Sequence, residues 1–225
     1  MNAIRVVTAC VLLIVAVAAS AGIASADSIF TVTVNTVPLM GLVGPFAVAF
    51  QLTDGSGLAD GNNTAILSNF LFGGGSATGC PPAACTTTGS ASGDLTGSVK
   101  LTDTDFFNSF AEQFTVGNTL SFIVDLTTNM DAGGTPDTFA FSLFDNGSPI
   151  PTLDPLGADT LLSVDISSAS PTILTFAADP SRTTISLAAP VIGAAPSPVP
   201  EPGTLWLMAI ALVALVGVRR ARRQA

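Results

Sequence analysis

From Ile29 to Val37 the apolar residues fall on every second position, with Phe30, Val32 and Val34 alternating with Thr31, Thr33 and Asn35. A period of two places them on one face of an extended strand. Thr138 to Phe144 repeats the pattern with Phe139, Phe141 and Leu143, and Leu120, Phe122, Val124 and Leu126 form a third apolar face. Further strands are predicted at Phe46–Leu52, Ala65–Phe72, Gly97–Leu101, Phe110–Val116, Leu161–Ile166, Thr172–Phe176 and Thr183–Leu187. Turn chemistry separates them at Asp54-Gly55-Ser56-Gly57, Asp60-Gly61-Asn62, Gly73-Gly74-Gly75, Gly133-Gly134 and Asn146-Gly147. No amphipathic helix competes. The expectation is an all-β fold, an antiparallel sandwich or jelly roll of about ten strands whose Phe-rich inner faces fill the space between two sheets. The Thr- and Ser-rich exterior is the ordinary counterpart of such a core and is no binding signature in itself.

The two ends read differently. Met1–Ala26 has a short start with Arg5, an apolar run from Val6 to Ala19 and a small-x-small site at Ala24-Ser25-Ala26, so it reads as a signal peptide cut between Ala26 and Asp27. Val7-Thr8-Ala9-Cys10 has the outline of a lipoprotein box, but the apolar run follows Cys10 where it ought to precede it. At the other end a Pro-rich spacer, 195–203, is followed by an apolar helix, 204–218, and by Arg219, Arg220, Arg222 and Arg223 in the tail 219–225. Fifteen helical residues span about 22 Å at ~1.5 Å each, short of a ~30 Å hydrocarbon core but workable with bilayer thinning and snorkelling arginines. The arginines hold the tail in the cytoplasm and leave the ectodomain, 27–194, on the far side.

Composition narrows the chemistry. The chain has no His and no Tyr, which removes imidazole-based triads, dyads and zinc sites. Between Asp27 and Pro200 only Lys100 and Arg182 oppose fifteen acidic residues, a surface that repels nucleic acid. Cys80 and Cys85 are the two cysteines left after signal removal, and an oxidising compartment favours a disulfide between them that stiffens a small loop. Carboxylates are the remaining catalytic option, with Asp103 and Asp105 on one face if extended and Asp125, Asp131 and Asp137 further along. A sugar hydrolase also needs aromatic platforms, and Trp206, the sole tryptophan, lies in the anchor helix. No enzymatic activity is therefore expected. Asp54, Asp60, Asp103, Asp105, Asp145 and Asp154 sit in turn-like contexts that suit calcium, yet no EF-hand spacing is present and solvated turn aspartates are the simpler reading. No other cofactor is expected.

Val199, Pro200, Glu201 and Pro202, followed at once by the apolar helix and the arginine cluster, resemble the PEP-CTERM sorting signal of Gram-negative-type bacteria. The layout is similar to that of the Gram-positive sortase signal. The resemblance implies recognition by an exosortase, a membrane enzyme that processes proteins at this motif, and two prolines hold the extended backbone a protease cleft accepts. The exported region also resembles a recurring PEP-CTERM ectodomain at Phe50-Gln51-Leu52, Asp54-Gly55-Ser56-Gly57, Gly61-Asn62-Asn63-Thr64, Ser68-Asn69-Phe70, Phe72-Gly73-Gly74-Gly75 and Thr138-Phe139-Ala140-Phe141. This second likeness implies no catalytic residues. Together they imply a protein anchored transiently in the inner membrane with its ectodomain in the periplasm, then released to the cell surface or extracellular matrix. Its expected role is structural or interactive within the envelope or a biofilm exopolysaccharide matrix. The alternative is a carbohydrate-binding module, calcium-dependent or not. Expected partners are the exosortase, the membrane and extracellular polysaccharide, and nucleic acid is not among them.

Overall fold

The computed structural model describes residues 27–81, 84–130, 135–168 and 170–194. The signal segment with Ala26, the Val199–Pro202 motif, the 204–218 helix and Arg219, Arg220, Arg222 and Arg223 lie outside the described residues. Among the described residues no helix is long and apolar enough to cross a membrane.

The strands, in chain order, are β1 (Asp27–Asn35), β2 (Phe46–Thr53), β3 (Thr64–Leu71), β4 (Ser76–Ala77), β5 (Cys85–Thr88), β6 (Ser92–Gly93) and β7 (Ser98–Thr102). They continue with β8 (Phe107–Thr115), β9 (Thr119–Thr127), β10 (Asp137–Asp145), β11 (Ser148–Pro149), β12 (Leu162–Ile166), β13 (Ile173–Thr175) and β14 (Val191–Ala194). They build two antiparallel sheets. One runs β14-β1-β9-β3-β7-β6 and the other β13-β12-β10-β2-β8-β4, with β5 also on β8 and β11 on β10. Successive strands mostly change sheet: β1 lies in the first, β2 in the second, β3 in the first again. Period-two apolar faces can be buried only if a second sheet covers them, and this alternation of layers supplies the cover.

Burial follows the alternation. Phe30, Val32 and Val34 on β1 and Leu120, Phe122, Val124 and Leu126 on β9 point inward, and Val48, Phe50 and Leu52 on β2 and Phe139, Phe141 and Leu143 on β10 meet them. On β3 the inward phase changes partway. Ala65 and Leu67 are buried at odd positions, whereas Phe70 and Phe72 pack on the core from even ones. The pairing register with β9 slips between Ser68 and Leu71, where Asn69 adopts φ 55°, so a bulge inserts the residue that switches the phase.

Phe50 is the hub of the interlayer packing. Its ring centroid lies 5.2 Å from Phe122 in the facing sheet, edge to face, and 5.5 Å from Phe141 in its own. Phe70 and Phe110 complete its aromatic contacts.

Thr183–Leu187, β5 and β14 depart from the period-two expectation. Thr183–Leu187 forms no strand, although Ile185 and Leu187 are buried as the alternation requires. The chain here follows a turn at Asp179–Arg182 and makes one link, from the Ala178 N–H to the Leu187 carbonyl. Alternating burial came without a partner strand. Conversely, β5 and β14 escape a hydrophobic reading because they are largely exposed and held by main-chain pairing to the edges of β8 and β1.

Replacing a buried ring that touches four others leaves a cavity between the sheets, so Phe50→Ala is expected to cost ~3–5 kcal/mol in urea unfolding. Phe106→Ala, at a side chain 61% exposed, is expected to stay within about 0.5 kcal/mol. Equal effects at the two positions would contradict the packing described.

Candidate functional site

One end of the sandwich gathers the strongest cluster of polar side chains. β2 ends at Thr53, and the chain crosses from one sheet to the other through residues 54–63 before β3 begins. Asp54 organises this crossing: its Oδ1 accepts from the Ser56 hydroxyl at 2.8 Å and the Gly57 N–H at 2.7 Å, and its Oδ2 accepts from the Ala59 N–H. Burial pushes the Asp54 carboxyl up, but these donors outweigh it and hold it below the usual carboxylate range.

Asn63, fully buried, ties four segments together. Its N–H donates to Asp103 Oδ2 at 2.9 Å, its Nδ2 to Asp137 Oδ2 at 2.7 Å and to the Asn129 carbonyl at 2.9 Å, and its Oδ1 accepts from the Asn129 N–H at 2.9 Å. Asp137, at the start of β10, also accepts from the Gly55 N–H at 2.8 Å through Oδ1. The approach is close enough that a Cβ on Gly55 would sit 2.1 Å from the Pro136 carbonyl oxygen, so no larger residue fits.

Asp103 completes the cluster. It is fully buried, its carboxyl is in hydrogen-bonding contact with that of Asp137, and its Oδ1 has no donor at all. Burial, then the Asp137 carboxyl, push its pKa up to about 7, against the pull of the Asn63 N–H, and the charge of nearby Asp60 adds to the rise. Neither basic residue of the ectodomain comes to its aid. Lys100 is exposed on β7, and Arg182 is engaged by Asp159 and by Asp179 at 3.0 Å.

The structure thus brings together three of the six aspartates that the sequence offers as oxygen ligands, Asp54, Asp60 and Asp103, and adds Asp137 and Asn63. The other three stand apart: Asp105 accepts from Ser90 at 2.8 Å, Asp145 from Asn146 at 2.8 Å and Asp154 from Thr160 at 2.8 Å. Asp103 and Asp105 do not share a face. The chain bends at 103–106, so the first points inward and the second into solvent. A signal for Asp137 and Asp103 was present: each continues the inward phase of its strand, two residues before Phe139 and two after Leu101.

A second buried acid lies on β8. Glu112 is in phase with Phe110 and Phe114 and fully buried, and its Oε2 accepts from the Leu95 N–H at 2.8 Å while Oε1 has no partner. Burial raises its pKa, the Leu95 and Gly79 N–H groups pull it back, and Asp94 adds to the rise. Cys80 and Cys85 are joined by a disulfide whose Cys80 sulfur lies 3.5 Å from the Glu112 carboxylate. Both sulfurs and a Glu112 oxygen fall within 4.8 Å of one another, but a disulfide offers a metal no thiolate.

The raised carboxyls set a direction for stability. An acid whose folded pKa exceeds its unfolded value binds more protons in the native state, so stability is lost as pH rises from about 4 through the folded pKa and levels off above it. Asp54, held low, acts in the opposite sense and only below about pH 4. In chelator-treated buffer, urea unfolding is expected to show stability falling by a few kcal/mol between pH 5 and 7.5. Asp103→Asn should flatten much of that slope, and an unchanged slope in the variant would remove Asp103 as its source.

Against known proteins, residues 198–223 match the family described as the PEP-CTERM protein-sorting motif. No curated protein and no solved structure matches the chain. The matched stretch contains Val199, Pro200, Glu201 and Pro202, the apolar segment and the four terminal arginines. By that motif the chain is a PEP-CTERM sorting domain-containing protein, exported and anchored through its C-terminal region for processing by an exosortase.

Proposed function

We propose that the exported sandwich is a structural or interaction component of the cell envelope or of an exopolysaccharide biofilm matrix, delivered there by exosortase processing and carrying no catalytic activity of its own. The sorting motif at 198–223 carries this reading, because it is a system for placing folded cargo outside the cell. Several features support it. The interior is filled by Phe, Leu and Val side chains, and the polar Thr- and Ser-bearing faces lie outward. Asp27, the residue expected after signal cleavage, is already paired with Thr127 in the β1–β9 ladder, so a cut before it leaves the fold complete at its front. The last described strand ends at Ala194, so the Pro-rich spacer 195–203 follows the sandwich in sequence. In this reading the protein is held first in the inner membrane with the sandwich in the periplasm, and it passes to the cell surface or matrix once Val199–Pro202 has been processed.

One observation favours the alternative of a carbohydrate-binding module. Phe106 and Phe107 expose apolar rings next to the acid cluster, and the Phe106 carbonyl accepts the Asp54 N–H at 3.0 Å. Exposed aromatic faces beside acids are a recognisable sugar-binding arrangement.

Intact mass of the native product in strains with and without the exosortase tests the sorting step. Loss of the sequence beyond the Pro-Glu-Pro region only where the enzyme is present is expected. An untrimmed tail in both strains would sink the reading. Pull-down of the detergent-solubilised full chain on defined polysaccharides then separates the two roles: the scaffold reading expects no saturable binding, and saturable binding lost in Phe106→Ala would replace it with the module.

A further inference from the structure

Two carboxyls pressed together in a protein interior repel each other, and where the donors around them are neutral they need either a shared proton or a cation. At the end of the sandwich described above, Asp103 and Asp137 are such a pair. Both Asp137 oxygens are already fixed by N–H donors from Gly55 and Asn63, and Asp103 Oδ2 by the Asn63 main chain. Asp103 Oδ1 is the atom left over, fully buried and with no hydrogen-bond donor, on a carboxyl that lies against the second acid. Of the charged groups near it, Asp137 on β10 and Asp60 in the 54–63 crossing are both negative.

The donor chemistry is all oxygen. The chain has no imidazole, and its two ectodomain thiols are closed in a disulfide elsewhere, so a soft or borderline metal finds neither imidazole nor thiolate here. Main-chain carbonyls are close at hand. Asn63 O accepts from the Asp103 N–H at 3.2 Å and Asn129 O from the Asn63 side-chain amide at 2.9 Å, and a carbonyl oxygen carries two lone pairs. Carboxylates plus carbonyls at irregular positions suit a large hard cation with flexible coordination, whereas magnesium requires a near-ideal octahedron and gives up its water reluctantly.

We propose that Asp103 and Asp137 form a calcium site, with Asp60 as the outer, solvent-facing acid, at the same end of the sandwich at which β1 starts and β14 leaves. The site closes the 54–63 crossing onto the loop after β7 and the start of β10. Few carboxylates contribute, which places the affinity in the 10⁻⁴–10⁻³ M class of extracellular modules. This inference stands apart from the matrix role: a calcium site serves a scaffold and a sugar-binding module equally.

The test is thermal unfolding of the full chain in detergent at pH 8, in EDTA and across a titration of calcium chloride. Calcium is expected to raise Tm saturably by about 3–10 °C, and magnesium at equal concentration by less than half as much. Asp103→Asn should melt at or above the wild-type temperature in EDTA, since the orphaned charge is gone, and should lose the calcium increment. Asp60→Asn, at an exposed position, should leave Tm in EDTA unchanged and raise the half-saturating calcium concentration at least ~3-fold. Asp105→Asn, two residues along and facing solvent, should respond as wild type. The proposal is overturned if calcium leaves the wild-type Tm unchanged at pH 8, in which case a shared proton alone relieves the pair. It is equally overturned if Asp103→Asn keeps the calcium increment.

Discussion

The edge-to-face contact between Phe50 and Phe122 is where the two sheets meet, and most of the architecture follows from the need to make it. Each strand carries one apolar and one polar face, so neither sheet is stable unless the other covers it. The chain meets this requirement by stepping repeatedly from one layer to the other, so that the long strands bring their apolar faces to the same interior. Phe30, Phe46, Phe110, Phe114, Phe139 and Phe141 fill the space around the central pair. The bulge at Asn69 serves the same end, since without its extra residue Phe70 and Phe72 would point into water.

Where the apolar interior stops, polar residues take over the inward positions. Asn63, Asp103 and Asp137 replace aliphatic packing with directed hydrogen bonds and fasten the sheet crossings at the end from which the chain runs on to residue 195. Such groups are costly when unpaired, so their near-complete satisfaction makes the single orphaned oxygen of Asp103 stand out. The acidic balance of the exported region sharpens the point: with Lys100 exposed and Arg182 committed elsewhere, no basic side chain among the described residues neutralises the pair. The sorting signal belongs to a different stretch of the sequence. It follows the last strand in sequence, and the pairings that hold the sandwich close among residues 27–194.

Much of the fold was legible because alternation reports burial directly. Phe30, Val32 and Val34, or Leu120 through Leu126, can be assigned to an inner face from spacing alone. What alternation does not report is pairing, which explains both Thr183–Leu187, buried in phase but without a ladder, and β14, paired but apolar on no consistent side. The polar cluster was half visible. Turn context singled out Asp54, Asp60 and Asp103, but it also singled out Asp105, Asp145 and Asp154, which bond locally. In the sequence Asp137 counts only among the carboxylates considered for catalysis and Glu112 not at all, though each lies in phase with phenylalanines, and polar residues at inward phase are the signal that turn chemistry overlooks. Asn63 could not have been found so, because its role depends on β9 and β10 arriving from more than sixty residues away.

The most direct measurement of this architecture is an NMR spectrum of the full chain with selectively labelled phenylalanine, assigned through Phe50→Leu and Phe122→Leu. Strong NOEs between the Phe50 and Phe122 ring protons are expected, since their centroids are 5.2 Å apart across the two layers. Their absence, with each ring seeing only neighbours from its own sheet, would contradict a sandwich held together at this contact.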